Sequence, residues 1–472
     1  MAHSKIFKIL LITLSTFAVA EPRLGVNMEE EIQLILQNSK NILSSTNVLK
    51  SIPPPQVDNS NSKFFPPVAN QGAQGSCNAF ATGYYLGSYE SARRKNIDIS
   101  QGLLSEICSP SFIYHTINSG VDHGSSPFLA LKLLSEIGCT SMELMPYKES
   151  DYVTSPTHEQ YLDAFSRRTK HIITYSNYDT LTKDNYLDDS GLQNLKAHIA
   201  QGGLGVAVAD VYAWWLYQKN TASLVQRAIG MNNGVIYKEA GKKLVDFVLD
   251  KTGHSTAHAM TIVGYDDNRQ YSYWDNGFKF GRGAFLLVNS WGEEWGNGNT
   301  GNRKGGFFWV AYDMFKVGKS SWGYVVSNEG TNANPPLLFV EAKYPNQPRV
   351  VANSSLEIKK INNISESIRS PSSSGGMGIN NGVLYTTVNP MLIGIDSIDS
   401  IQKISLSITT IDNQYISTSG FNVDLYYDLS GSGKYYRKFR SNRLETFLLH
   451  WYGSDIITTG AYYFFDNLSI FD

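Results

Sequence analysis

The sequence predicts an α+β chain: a helical half packed on a strand-built half, followed by a separate all-β, sandwich-like module. Three observations carry this. Apolar residues recur at helical spacing between Ala79 and Ile137, and short Gly-led apolar runs follow from Gly202 to Val310. Beyond Pro335 the runs alternate strictly, as in Ile404, Leu406 and Ile408 against Ser405, Ser407 and Thr409, with Gly-Ser turns such as Ser430-Gly431-Ser432-Gly433 between them. Helices first and antiparallel strands afterwards make two packed sub-domains, and a cleft between them is the natural place for a site.

With 472 residues the chain exceeds one ordinary core, so more than one domain is expected. A net charge of -2 gives no electrostatic reason to expect nucleic acid or an anionic membrane as partner. Residues 1–20 read as a secretory signal: Lys5 and Lys8 precede apolar Ile9 to Val19, and Ala18-Val19-Ala20 offers a small-x-small cleavage site. The rival, an uncleaved anchor, needs a longer apolar run. No later segment is long and apolar enough to cross a bilayer. The expectation is therefore a secreted or periplasmic protein without stable membrane insertion.

Residues 21–51 hold one helical candidate, Met28 to about Leu43, with Met28, Ile32, Ile35 and Leu36 on one face. The rigid break Ile52-Pro53-Pro54-Pro55 follows. A lone amphipathic helix there is either a short pro-segment or a helix docked permanently on the domain. Residues 52–335 form the main domain. Its helices are expected over Ala79 to Arg93, Ser109 to about Ser119, and Pro127 to Ile137. Its strands are expected over Gly202 to Ala209, Gly234 to Tyr237, His258 to Tyr265, Ala284 to Asn289 and Gly306 to Val310. Residues 336–472 are the β-rich module, which carries no chemistry-bearing cluster.

The chemistry gathers around Asn70-Gln71-Gly72-Ala73-Gln74-Gly75-Ser76-Cys77-Asn78-Ala79-Phe80. A thiol there sits after an amide-rich turn and at the start of a helix, whose unpaired N–H groups favour thiolate. Gln71 is placed to donate to a developing oxyanion. The other cysteines are Cys108 and Cys139. Either they pair and leave Cys77 as a thiol, or all three are reduced and two are buried. A nucleophilic thiol needs a base, and the base needs a third group to hold its ring. His258 opens an apolar strand at a sheet mouth, and His254 in a polar turn is its competitor. Asn289 ends another strand, where its carbonyl oxygen can fix an imidazole tautomer, and Trp291 can shield that bond from water.

Together these segments resemble the papain-like cysteine peptidases. Gln71, Cys77, His258 and Asn289 fall in that family's chain order, within Asn-Gln-Gly, Ser-Cys, Ala-Phe, His-Ala, Val-Gly-Tyr and Asn-Ser-Trp-Gly, and Trp295-Gly296 and Gly305-Gly306-Phe307 follow in place. The resemblance covers roughly residues 52 to 328. It implies a papain-like two-subdomain fold and acyl-enzyme chemistry on polypeptide substrates, with no cofactor or metal. It also implies Cys77 as nucleophile, His258 as ion-pair partner, Asn289 as orienter, and Gln71 with the Cys77 N–H as oxyanion donors. Gly124 and Ser125 correspond loosely to the backbone-binding wall, with Trp291 as a further substrate contact. Val57-Asp58 resembles the mature start, implying processing between Leu49 and Val57. Acyl transfer without proteolysis is the enzymatic alternative. An inactive scaffold acting through the C-terminal module is the other, and that module is expected to bind a surface or substrate.

The sequence also departs from the family. Gln74 and Asn78 stand where the signature has a cysteine and an aromatic. A family disulfide is therefore missing at the nucleophile turn. His258 and Asn289 lie 181 and 212 residues beyond Cys77, further than usual, which predicts insertions around Tyr212 to Met231 and Asp266 to Gly283.

Overall fold

The computed structural model describes residues 53–118, 122–154, 156–169, 172–175, 177–179, 184–210, 257–274, 278–295 and 305–315, together with Val26 and the backbone of further strands elsewhere. The predicted signal peptide and most of the predicted 28–43 helix lie outside the described residues. So does most of the predicted 212–231 insertion.

The helical half is built around one long helix. It runs as Cys77–Ala79, a π-helical segment Phe80–Gly87, and Ser88–Lys95. Every residue from Cys77 to Ala92 is buried, so neighbours enclose this helix on all sides. Gly83 and Gly87 permit that enclosure. A Cβ on Gly83 would meet the Ile113 side chain at 2.9 Å, and one on Gly87 would meet Cys108 Sγ at 3.2 Å. π segments widen the turn and occur most often near functional sites. Three basic residues, Arg93, Arg94 and Lys95, occupy the last turn, and Asn96 closes it in a left-handed conformation (φ 54°). Both features suit a helix C-terminus, the first by opposing the macrodipole and the second by satisfying end carbonyls.

Two further helices, Pro110–Ile117 and Pro127–Glu136, pack on it. Each begins at a Ser-Pro pair. The serine hydroxyl accepts the N–H three residues on (Phe112 for Ser109, Leu129 for Ser126), and proline fills the position that needs no donor. A disulfide joins Cys108, before the first helix, to Cys139, after the second, with Cα atoms 5.4 Å apart.

The strand half is one mixed sheet centred on an 18-residue strand, Ala257–Trp274. Gly205–Asp210 pairs with its start, setting Ala209 opposite His258. Phe278–Val288 pairs antiparallel along its length, and Phe307–Ala311 pairs with Phe278–Val288 in turn. Gln56–Asp58 adds against Gly264 to Asp266. The expected insertion at Asp266 to Gly283 is therefore no loop. It prolongs the two central strands into a hairpin, because Tyr271, Tyr273 and Trp274 continue as strand-forming residues to the turn. A π-helical core on one side and this sheet on the other give the papain-like α+β arrangement.

Beyond Leu337 the described strands form two five-stranded antiparallel sheets, in the two-sheet pattern expected of a sandwich-like module. Among the described residues no helix is long and apolar enough to cross a membrane.

Glu90 is fully buried on the long helix, where Arg93 Nη2 donates to Oε2 at 2.8 Å. Burial raises its carboxyl to about 7, with Arg93 opposing the rise. The folded state therefore holds a proton that the unfolded chain has lost, and stability falls as pH climbs from about 4.5 to about 7. Through this group the protein should lose on the order of 3 kcal/mol across that window. Glu90→Gln should flatten that part of the pH dependence in scanning calorimetry. An unchanged slope in the variant would show that Glu90 does not carry it.

Candidate active site

The turn before Cys77 is stitched to the turn after the Phe278–Val288 strand. Gln71 N–H donates to Ser290 O at 2.8 Å and Gly292 N–H to Ala69 O at 3.0 Å, and Asn70 and Trp291 form a bridge between them. Tyr85 locks this seam from inside the helical half. Its hydroxyl donates to Asn289 O and accepts from Ala69 N–H, both at 3.0 Å. Burial holds that phenol well above its ordinary range, so it remains a donor. From the other side, Thr261 Oγ1 donates to Ala81 O at 2.9 Å, and the Cys77 turn packs on the Ala257–Trp274 strand. Residues more than 170 positions apart in sequence thus share one small volume.

His258 and Asn289 are brought together inside it. His258 Nε2 lies 2.8 Å from Asn289 Oδ1. The same Asn289 atom accepts the Ser290 N–H at 2.7 Å, which identifies it as the carbonyl oxygen. His258 must therefore carry its proton on Nε2 and donate it, leaving the Nδ1 lone pair bare. That Nδ1 makes no hydrogen bond. Trp291 stacks over the imidazole with centroids 4.7 Å apart, and Trp295 meets Trp291 edge-on. Burial under these rings pushes the imidazole down to about 4, against the Asn289 bond that favours its protonated form. Both residues are essentially inaccessible, so this bond operates out of water. His254 lies outside the described residues.

Cys77 is the cysteine outside the disulfide, and it is buried at the start of its helix. Ser76 does not cap that helix with its side chain; its hydroxyl meets Tyr147 Oη at 2.9 Å instead. The sulfur thus sits at the positive end of the helix, which favours thiolate. Gln71 is fully buried with its amide held at both ends. Nε2 donates to Gln74 O at 2.8 Å, and Oε1 accepts from Ser290 Oγ at 2.5 Å.

Gly124 adopts φ +89°, a conformation that side chains disfavour, and Ser125 beside it is buried. The Ser125 backbone is already paired, in a parallel bridge, with Val26 of the N-terminal region. Val26 is fully buried, and its N–H donates to Ala257 O, beside His258, at 3.2 Å. Among the described residues no cluster of three or more His, Cys, Asp or Glu is placed to hold a metal.

A family model described as "Papain family cysteine protease" matches residues 53–303, just over half of the chain. The chain belongs to the papain family of cysteine proteases. It is accordingly a cysteine-type peptidase acting on polypeptides. Similar solved structures include xylellain, a cysteine protease from Xylella fastidiosa, at 20% identity over 61% of this chain and 92% of that one, with TM-score 0.40. A digestive procathepsin L2 from Tenebrio molitor is 19% identical over 65% and 84% of the two chains, with TM-score 0.39. Bromelain from Ananas comosus, in complex with the E64 inhibitor, is 18% identical over 58% and 98%, with TM-score 0.36. No curated protein matches this sequence.

Within this papain-family site, Tyr85 and Tyr147 were not legible as more than packing residues. The one available signal was Tyr at a helical face that also had to meet two backbone turns. Tyr85→Phe should leave Asn289 O and Ala69 N–H without that partner in a dry interior, costing roughly 2–3 kcal/mol. Denaturant unfolding should show that loss, and turnover should fall with it. A variant as stable as the parent would mean the seam does not depend on the phenol.

Proposed function

We propose that this peptidase works through Cys77, His258 and Asn289, with Gln71 as oxyanion donor, and that it is exported and made as a precursor. The observation that carries the reading is the His258 Nε2 to Asn289 Oδ1 bond, because it leaves Nδ1 as the basic atom. In the reaction, Cys77 sulfur bonds to the scissile carbonyl carbon while the thiol proton passes to His258 Nδ1. The carbonyl electrons move to oxygen, where the Gln71 amide and the Cys77 N–H meet the charge. Collapse expels the amine, which takes the proton from His258, and a thioester remains. Water, deprotonated by His258, then attacks the thioester, releasing the carboxylic acid product and restoring the thiol. Gly124 and Ser125 hold the substrate backbone, and Trp291 bounds the cleft beside the imidazole.

Val26 supports the pro-segment reading of residues 21–51. It lies between Ser125 and Ala257, in the place an extended substrate chain would occupy. Downstream, Tyr265 Oη donates to Pro54 O at 2.7 Å and Asp267 N–H to Pro55 O at 2.8 Å, ahead of the Gln56–Asp58 strand. The chain is thus anchored from Pro54 onward, and processing falls between Leu49 and Pro54. Residues 1–20 direct export to a secreted or periplasmic location, residues 52–335 are the peptidase domain, and residues 336–472 form a separate module that engages substrate or a surface.

Labelling with an epoxide-type thiol inhibitor tests this. A chain beginning at Pro53 should label at Cys77 much faster than full-length protein, since Val26 no longer covers the cleft. The contrast should be largest between pH 5 and 7. There the covered imidazole, held at about 4, stays neutral, whereas opening the cleft lets it ionise against the thiolate. Cys77→Ala should abolish labelling and peptide hydrolysis with an unchanged melting temperature. Hydrolysis by Cys77→Ala, or an unreactive Cys77 after truncation, would overturn the assignment. Free carboxylic acid products in the presence of added amines would favour hydrolysis over acyl transfer.

A further inference from the structure

The nucleophile turn lacks the cysteine found three residues before the nucleophile in the family signature, so something else must fix it. Gln74, which occupies that place, is buried and reaches outward, with Nε2 donating to Asp151 O at 2.8 Å and to Glu149 O at 3.2 Å. That ties the turn to the 148–151 loop but not to the substrate wall. The tie to the wall runs through other residues. Gly75 N–H donates to Asp122 Oδ1 at 2.8 Å, and Tyr114 Oη donates to the same oxygen at 2.7 Å. Tyr114 Oη in turn accepts the Gly124 N–H at 3.2 Å. One residue past the nucleophile, Asn78 Nδ2 donates to Ser125 Oγ at 3.1 Å. Asn78 is fully buried and its Oδ1 has no hydrogen-bond partner, so the Ser125 bond is the work its amide does.

We propose that Asp122, Tyr114 and Asn78 are positioning residues, forming a polar bracket that sets Cys77 against the Gly124–Ser125 wall in place of the missing disulfide. The inference rests on Cys77 being the nucleophile. Three features support a bracket over incidental contacts. Its bonds reach the turn on both sides of Cys77, at Gly75 and at Asn78. Its far ends are the two wall residues themselves. And the space is closely filled, since a Cβ on Gly75 would lie 3.2 Å from each of Asp122 Oδ1, Tyr114 Oη and Gly124 N. Burial and the neighbouring carboxylate hold Tyr114 well above its ordinary range, which keeps it a donor to Asp122 at any working pH. The carboxylate accepts two bonds at one oxygen, a load that an amide oxygen can also carry.

The test uses full-length protein and the Pro53-start chain, each as parent, Asp122→Asn, Asp122→Ala, Tyr114→Phe and Asn78→Ala. Hydrogen exchange of the peptide spanning residues 72–80 is read first, because it needs no activity. Asp122→Ala should speed exchange there about tenfold or more, while Asp122→Asn, which keeps the acceptor, stays near the parent. In the Pro53-start chain, kcat per titrated site should fall about 10- to 100-fold in Asp122→Ala and Asn78→Ala. The pH profile of Cys77 alkylation should shift with it, and Asp122→Asn should restore most of both. Tyr114→Phe and Asp122→Ala should be non-additive, since they share a bond. If Asp122→Ala does not fold, Tyr114→Phe and Asn78→Ala carry the same readings. Parent-like exchange at 72–80 with only a lowered melting temperature would overturn the bracket, as would Asp122→Asn proving as damaging as Asp122→Ala. Failure of the parent itself to label at Cys77 would instead strike the nucleophile assignment, leaving the exchange result to judge the bracket.

Discussion

The bond from His258 Nε2 to Asn289 Oδ1 is the constraint on which the rest of the site depends. An imidazole has two nitrogens and one proton when neutral, and only the nitrogen without it can take a proton from a thiol. Here the choice is made by a carbonyl oxygen that also holds the backbone N–H of Ser290, so the amide cannot turn over without breaking two bonds. Trp291 lies flat over the ring and keeps water from competing for either atom. Tyr85, the seam between Ala69–Gln71 and Ser290–Gly292, and the enclosed π-helical segment all hold the sulfur-bearing turn against the strand that carries this imidazole.

Such an arrangement has an electrostatic consequence. Dry surroundings strengthen the His258 to Asn289 bond but disfavour the charged imidazole, which is driven down to about 4 in the covered cleft. An ion pair with the thiolate gains from opening the cleft to water and removing Val26 from between Ser125 and Ala257. In the proposed precursor, the same burial that fixes geometry would hold the site uncharged until residues 21–51 are removed.

Much of the fold was legible in the sequence, and for identifiable reasons. Ser-Pro pairs at 109–110 and 126–127 encode helix starts through local bonding alone, and the structure has helices beginning there. The run from His258 to Tyr265 reads as a strand because its apolar residues need no partner to be recognised as buried. The continuation through Asp266, Asp267 and Asn268 is legible in the sequence only as an insertion, since polar residues on an outer hairpin carry no burial signal; the register with Phe278–Val288 makes it strand. At the site, Cys77, His258 and Asn289 stand out in the sequence through the resemblance of their surrounding motifs to the papain family, and the structure joins His258 directly to Asn289. The bonds proposed to hold the Cys77 turn were not legible in the same way. Asp122 and Tyr147 reach the turn through hydrogen bonds to residues far away in sequence, with Tyr114 bonded behind Asp122, and no local pattern distinguishes those from ordinary loop or core residues. The signature's missing cysteine marked only that a substitute had to exist.

The most direct measurement is the pair of imidazole nitrogen chemical shifts of His258, recorded by 15N NMR on full-length protein near pH 6. A neutral ring with the proton on Nε2 and an unprotonated Nδ1 is the expected result. The Nε2 signal should lose its bonded character in Asn289→Ala. A ring protonated on Nδ1, or one charged at that pH with the N-terminal region in place, would contradict it.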